Sequence, residues 1–464
     1  MENALLNKPV KTALLSMAAP AAFGMLMTFL FQLVDSYFVG QLGTPQLAAM
    51  SFAYPIYILI VSFFMGTAAG VSATVGRALG EQNIVKAQSL TTISLILFAL
   101  ITLVLGLVGY ATIPNVFSAL GASPHAINLI TDYMAPLYLG MFALVGGLIA
   151  NAALMSKGVM LRTTLIMAIG GIINVVFDYL LIFGIGPFPE LALKGAAYAT
   201  VLSWLTILTL MLVLLRKEKL LSLSSVSHVA EQIREVLTIS TPAIAAQVLN
   251  PIAIAVITRM VSQYGDSAIA AYGIVTRIES LILTGILSLS VIITPLVAQN
   301  YGAKAFQRLD QIIAYSGRMT VYWGLAFFAV VAAFAEPILS IFTQDSEIIA
   351  HGSRYFLIIG ITFPAFGLTL ITTSFFNGVQ QAKLSLKLTL VKSLMLTIPF
   401  AVIGSVVDSH FIWLGLAAAN ILGAIYAKRL LDNWLHTNRS QLVGRSLIQD
   451  YANDIKGLFT HSAK

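Results

Sequence analysis

Five polar residues stand where an apolar chain should have none. Asp35 lies near the end of the apolar stretch Leu14 to Gly40, which is long enough to cross a bilayer. Asn174 and Asp178 lie in another such stretch, four residues apart and so on one face of a helix. A carboxylate inside hydrocarbon costs roughly 3 kcal/mol or more, so it asks for a function. Two carboxylates in a poorly solvated site repel each other and should hold at least one proton between them. Such a pair can take up a proton from one side of a membrane and release it on the other when access changes. Oxygens of Tyr133, Asn174 and Thr200 can orient that proton. Alternatively Asp35, Asn174, Asp178 and Thr200 can ligate a hard cation such as Na⁺. The residues alone leave both chemistries open. A structural reading competes at each position: an interhelical hydrogen bond for Asn174 and Asp178, a snorkelling carboxylate for Asp35, self-bonding for Thr200 and an interfacial ring for Tyr133.

These residues must be positioned by membrane helices. Of 464 residues, 58% are hydrophobic and 10% charged, where a soluble domain carries about 25% charged residues. Mean hydropathy is +0.90, so the chain reads as an integral membrane protein. The absence of cysteine excludes disulfides, Cys-ligated zinc and thiol catalysis. The N-terminal apolar run is far longer than a signal-peptide core of about 7–15 residues, so it is read as a span that stays. Apolar runs predict twelve helices, near 14–40, 46–75, 88–113, 127–154, 161–185, 194–215, 236–262, 268–298, 312–335, 351–377, 384–407 and 410–432. Of 26 Lys and Arg, 22 fall on one side of this arrangement, Lys392 counted among them. That bias places both termini in the cytoplasm. It also explains the net charge of +7 without nucleic acid.

The long polar break Arg216 to Glu235 divides the chain into two copies. Pro20 matches Pro242, Gly43 matches Gly265, Gly80 matches Gly302, Lys86 matches Arg308 and Tyr133 matches Tyr355, all at a constant offset of 222 residues. Later the offset is 220, where Gly195 meets Gly415. Six helices per copy is an even number, so the halves run parallel and should be related by a pseudo-twofold along the membrane normal. The expected organisation is a six-helix bundle over 1–215, a cytoplasmic linker over 216–235, a second bundle over 236–432 and a cytoplasmic tail over 433–464. Parallel repeats around a central cavity are a transporter architecture. Asp35 aligns with Ile257, Asn174 with Leu394 and Asp178 with Ile398, so polar residues of the first half face aliphatics in the second.

Depth supports a single cluster. At 1.5 Å per residue, Asp178 is roughly 24 Å from Arg162 along its helix, and Thr200 is roughly 9 Å from Lys194. Asp35, Tyr133, Asn174, Asp178 and Thr200 are thereby expected in the outer half of the membrane. Pro20 lacks an N–H and lies well below Asp35, where it is a candidate hinge. In the second half stand Gln247, and Arg277 with Glu279 two residues on, which cannot form an intrahelical pair.

The stretches LVDSYFVGQLG, RALGEQNIVKAQ, AQNYGAKAFQRL and NVVFDYLLIFG resemble the multidrug and toxic compound extrusion (MATE) family over nearly the whole chain. Asp35 with the Asn-x-x-x-Asp of Asn174 and Asp178 resembles its DinF-like branch. The resemblance implies a monomeric antiporter of a bacterial inner membrane. It would export hydrophobic, often cationic, drug-like compounds against H⁺ or Na⁺, with no cofactor beyond the ion gradient and lipid as its surroundings. Coupling would pass through Asp35, Asn174, Asp178 and Thr200, with Tyr133 a looser match. The NorM branch has acids in helices 7 and 10; here helix 7 carries Gln247 and helix 10 has none. The competing reading is a flippase of lipid-linked precursors or polysaccharides in the same wider superfamily. It is weakened by how few cations, Arg259, Arg277 and Arg354, lie near spans outside the cytoplasmic loops. An enzyme finds no convergent acid, base and nucleophile set here, and no P-loop appears.

Overall fold

The computed structural model describes residues 4–438. The described residues contain no strand. The first six long helices are α1 (Val10–Gln41), α2 (Thr44–Gly80), α3 (Ile84–Ala119), α4 (Pro124–Ser156), α5 (Met160–Phe183) and α6 (Ala192–Lys217). The second six begin with α7 (Val229–Val261), α8 (Asp266–Gly302) and α9 (Phe306–Ser340). They continue with α10 (Ser346–Gly360 and Phe363–Gly378, bent by 55°), α11 (Ala382–Val407) and α12 (Ser409–Thr437). Among the described residues eleven helices are long and apolar enough to cross a membrane, and the bent α10 makes twelve. They outlast the apolar runs at most ends, because capping and polar turns continue a helix past the hydrocarbon. The side chains of Asn83, Ser123 and Asp345 accept backbone N–H groups at the starts of α3, α4 and α10. The tail beyond residue 438 lies outside the described residues.

The internal repeat reaches the level of single dihedral angles. Gly43 and Gly265 precede α2 and α8 with φ of 122° and 93°, values closed to most L side chains. The helices they open are both 37 residues long. After each comes another matched pair, Gln82 and Lys304, with φ of 56° and 54°. Lys86 and Arg308 also act alike. Lys86 pairs with Glu235 at the start of α7 (3.0 Å), and Arg308 donates to the carbonyls of Leu5 (2.9 Å) and Lys8 (2.8 Å), just before α1. The copies differ in α11, which passes through a π-helical segment, Val391–Thr397, absent from α5. A π turn holds an extra residue, so side chains beyond it are rotated relative to the first copy.

The described residues form two compact units, one of Ala19–Val248 and one of residues 4–18 with 249–438. In the first, α4 is the hub, packed on α2, α3 and α6. Its apolar core includes Phe64, Val71, Phe98, Val145, Met211 and Leu215. The first half of α7 packs on α2 in this unit, where Gly66 and Gly70 allow close approach: a Cβ on either would meet the backbone of Ala243 or Ser240 at 2.8 Å. The core of the other unit gathers α8, α9, α10 and α12 around Tyr272, Ile286, Phe356, Phe363 and Trp413.

Candidate ion-coupling site

Within the first unit, α1 is held against α5 by two close approaches. Thr164 Oγ1 donates to the Pro20 carbonyl (3.2 Å), and Gly171 leaves room for the Phe31 ring. α1 continues as one helix through Pro20. Further along, Phe38 packs on Tyr179 and Phe183 of α5. Between these contacts Asp35 of α1 faces Asp178 of α5.

Asp178 is fully buried. Both of its carboxyl oxygens and Asp35 Oδ1 are buried without a hydrogen bond of ordinary geometry. Buried acceptors without donors are uncommon, and two facing carboxylates cannot both stay charged in such a place. A shared proton or a bound cation resolves the conflict. One turn before Asp178, Asn174 Nδ2 donates to Thr200 Oγ1 of α6 at 3.3 Å, which leaves the Asn174 carbonyl oxygen as a further acceptor. Tyr133 of α4 lies within electrostatic reach of both carboxylates. All five residues singled out from sequence thus come from α1, α4, α5 and α6 of one unit.

Sequence reasoning missed two groups. Tyr57 of α2 interacts with Asp35 and was hidden among the aromatics of an apolar run. Its counterpart at the 222 offset is Glu279, and that of Tyr133 is Tyr355, so the second copy can be compared position by position. There the Tyr355 hydroxyl donates to Glu279, and Lys392 of α11 faces the same carboxylate. Tyr272, Tyr355 and Trp413 pack together as rings beside it. Glu279 therefore pairs with neighbouring helices. Lys392, counted from sequence with the loop cations, stands ten residues into α11, roughly 15 Å along the helix, with its Nζ 5.1 Å from the Phe366 ring centre. Its place inside the predicted 384–407 span was the available signal.

Residues 20–180 and 242–403 each match the MatE family model, and the two matches start 222 residues apart. The chain belongs to the MatE family. It is therefore a membrane transporter and not an enzyme, and multidrug export proteins are among its relatives. This MatE chain is 34% identical over 425 residues to the FAD transporter of Shewanella oneidensis, covering 91% of this chain and 94% of that protein. It is 27% identical to the probable multidrug resistance protein YoeA of Bacillus subtilis, over 72% of this chain and 74% of that one. Among solved structures, the MATE transporter VcmN of Vibrio cholerae superposes with a TM-score of 0.89 at 22% identity, over 92% of this chain and 97% of that one. That likeness carries the twelve-helix fold of the MatE chain.

Proposed function

We propose that this chain is a proton-driven exporter of organic compounds in which Asp35 and Asp178 are the coupling pair. The reading rests on one observation: two facing carboxylates inside membrane helices whose buried oxygens have no donors. One proton satisfies both, and its loss leaves two like charges that drive the groups apart. That repulsion acts between α1 and α5, and α1 is the helix weakened at Pro20. Protonation state and the shape of α1 are thereby linked, with Pro20 as the hinge. Asn174, Thr200 and Tyr133 orient the pair. The same oxygens of Asp35, Asn174, Asp178 and Thr200 suit Na⁺, which is the competing ion. The two halves, 1–215 and 236–432 joined by 216–235, supply alternating access as a single chain with both termini in the cytoplasm of a bacterial inner membrane. The ion gradient is the only cofactor.

The substrates are hydrophobic, often cationic compounds of the multidrug type. The relative at 34% identity favours a second reading, a flavin nucleotide, which is anionic. The test is ethidium efflux from reconstituted vesicles under an imposed H⁺ or Na⁺ gradient, wild type against Asp35→Asn. Proton-driven efflux that the variant loses is the expected result. Full gradient-driven efflux by the variant would remove the coupling role, and efflux driven by Na⁺ alone would replace the proton.

A further inference from the structure

Several cations in the second unit are already held. Arg354 bonds His410 (2.6 Å), Arg318 lies over the Tyr315 ring (4.7 Å), Lys428 pairs with Asp432 (2.7 Å), and Lys392 faces Glu279. Arg277 of α8 has no such partner among the described residues, and it is exposed. It is the twelfth residue of α8, roughly 17 Å along the helix from Asp266, a depth from which snorkelling to an interface is costly. Two residues on, Glu279 points to the other side of the helix and is taken by Tyr355 and Lys392. Around Arg277 the helix face is open, with small Gly273 and polar Ser280 beside the exposed Leu281. Gly273 and Ser280 are exposed, and a Cβ built on Gly273 would meet nothing within 4 Å. The Thr276 and Ser280 hydroxyls donate to their own helix, to the carbonyls of Tyr272 (2.9 Å) and Thr276 (2.8 Å), which leaves their oxygens free to accept. An unpaired guanidinium in a span belongs on a water-filled surface, and with the nearest carboxylate of its own helix face, Asp266, about three turns away, it draws an anion from solution. Its planar fork suits phosphate or carboxylate bidentately.

We propose that Arg277 is a specificity-determining contact for the anionic group, phosphate or carboxylate, of an organic substrate, seated in the open space beside Gly273. This deepens the exporter reading and rests on it.

The test compares FAD, riboflavin and ethidium as probes in phosphatidylcholine vesicles, with wild type, Arg277→Gln and Arg277→Lys. Riboflavin carries the same ring system as FAD without phosphate. Loss of a bond to a charged group should lower FAD transport about tenfold or more in Arg277→Gln, with ethidium and riboflavin within about twofold of wild type and partial recovery in Arg277→Lys. Equal losses for FAD and riboflavin, or FAD transport unchanged, would overturn the proposal. So would a loss seen only after anionic lipid is added, which would make the ligand a lipid headgroup. Flavin-fluorescence titration of the solubilised protein reads FAD binding without transport and should weaken in Arg277→Gln in the same proportion. Failure of the exporter reading would look different, with no gradient-driven movement of any probe by wild type while the titration still reports on Arg277.

Discussion

At the scale of single residues, both copies place carboxylate beside tyrosine among membrane helices, but they relieve the charge differently. The first sets Asp35 against Asp178, which leaves room for a mobile proton or ion. The second sets Glu279 against Lys392, a pair that is neutral without one. Lys392→Met alone should therefore be harmful, because it strands a buried carboxylate; a loss of about 3 kcal/mol is expected, read as a fall in the melting temperature of the solubilised protein. The double variant Glu279→Gln with Lys392→Met should recover most of it, and a double variant as unstable as the single one would mean that the pair is not what Lys392 serves. In the first copy Asp178→Asn should cut gradient-driven efflux at least about tenfold while ethidium binding by fluorescence persists, since the amide keeps the shape and removes the titrating group. Asp35, Asn174 and Asp178 were legible in sequence because charge and amide are rare in apolar runs. Tyr57 and Lys392 were not, since a tyrosine in a span is ordinary and Lys392 was counted with the neighbouring loop cations Lys383 and Lys387 despite its place inside the predicted span.

At the scale of elements, the twelve spans were legible because a bilayer demands about twenty apolar residues per helix, a requirement that overrides local propensity. What the hydropathy pattern could not carry was the interruption of α10 at Ile361 and Thr362, or the π turn of α11. Both leave composition unchanged and alter only which way side chains point. The shift of the repeat offset from 222 to 220 was the trace that the copies differ in this region. Close packing gives a prediction at this scale: Gly70→Leu puts a side chain where the Ser240 backbone of α7 already lies, and should lower stability by about 2 kcal/mol in a thermal melt. Gly121→Leu, at a turn with nothing within 4 Å, is the matched control, although its φ of 86° adds local strain. If the two variants melt alike, the α2–α7 approach is not a determinant of stability.

At the scale of the whole molecule, the absence of cysteine makes orientation directly measurable. Leu223→Cys between α6 and α7 and Gln344→Cys between α9 and α10 lie on opposite sides of the proposed topology. In intact cells an impermeant thiol reagent should label Gln344→Cys and spare Leu223→Cys; the reverse pattern would invert the chain. The segment that joins the two halves has a further bearing on how this protein can be handled. From sequence it is a polar cytoplasmic linker, and in the structure it is fastened along its length. Glu218 is gripped by Lys157 (2.8 Å) and Arg162 (2.7 Å), Gln88 donates to the Lys219 carbonyl (2.9 Å), Ser225 donates to Gln88 (2.7 Å), and the Ser222 and Ser227 amides reach Thr92 and Ser89 on α3 (both 3.3 Å). A reporter or affinity tag spliced into this polar stretch would peel that strap from α3, whereas the short turn at Gly186, with nothing within 4 Å, has room to carry one.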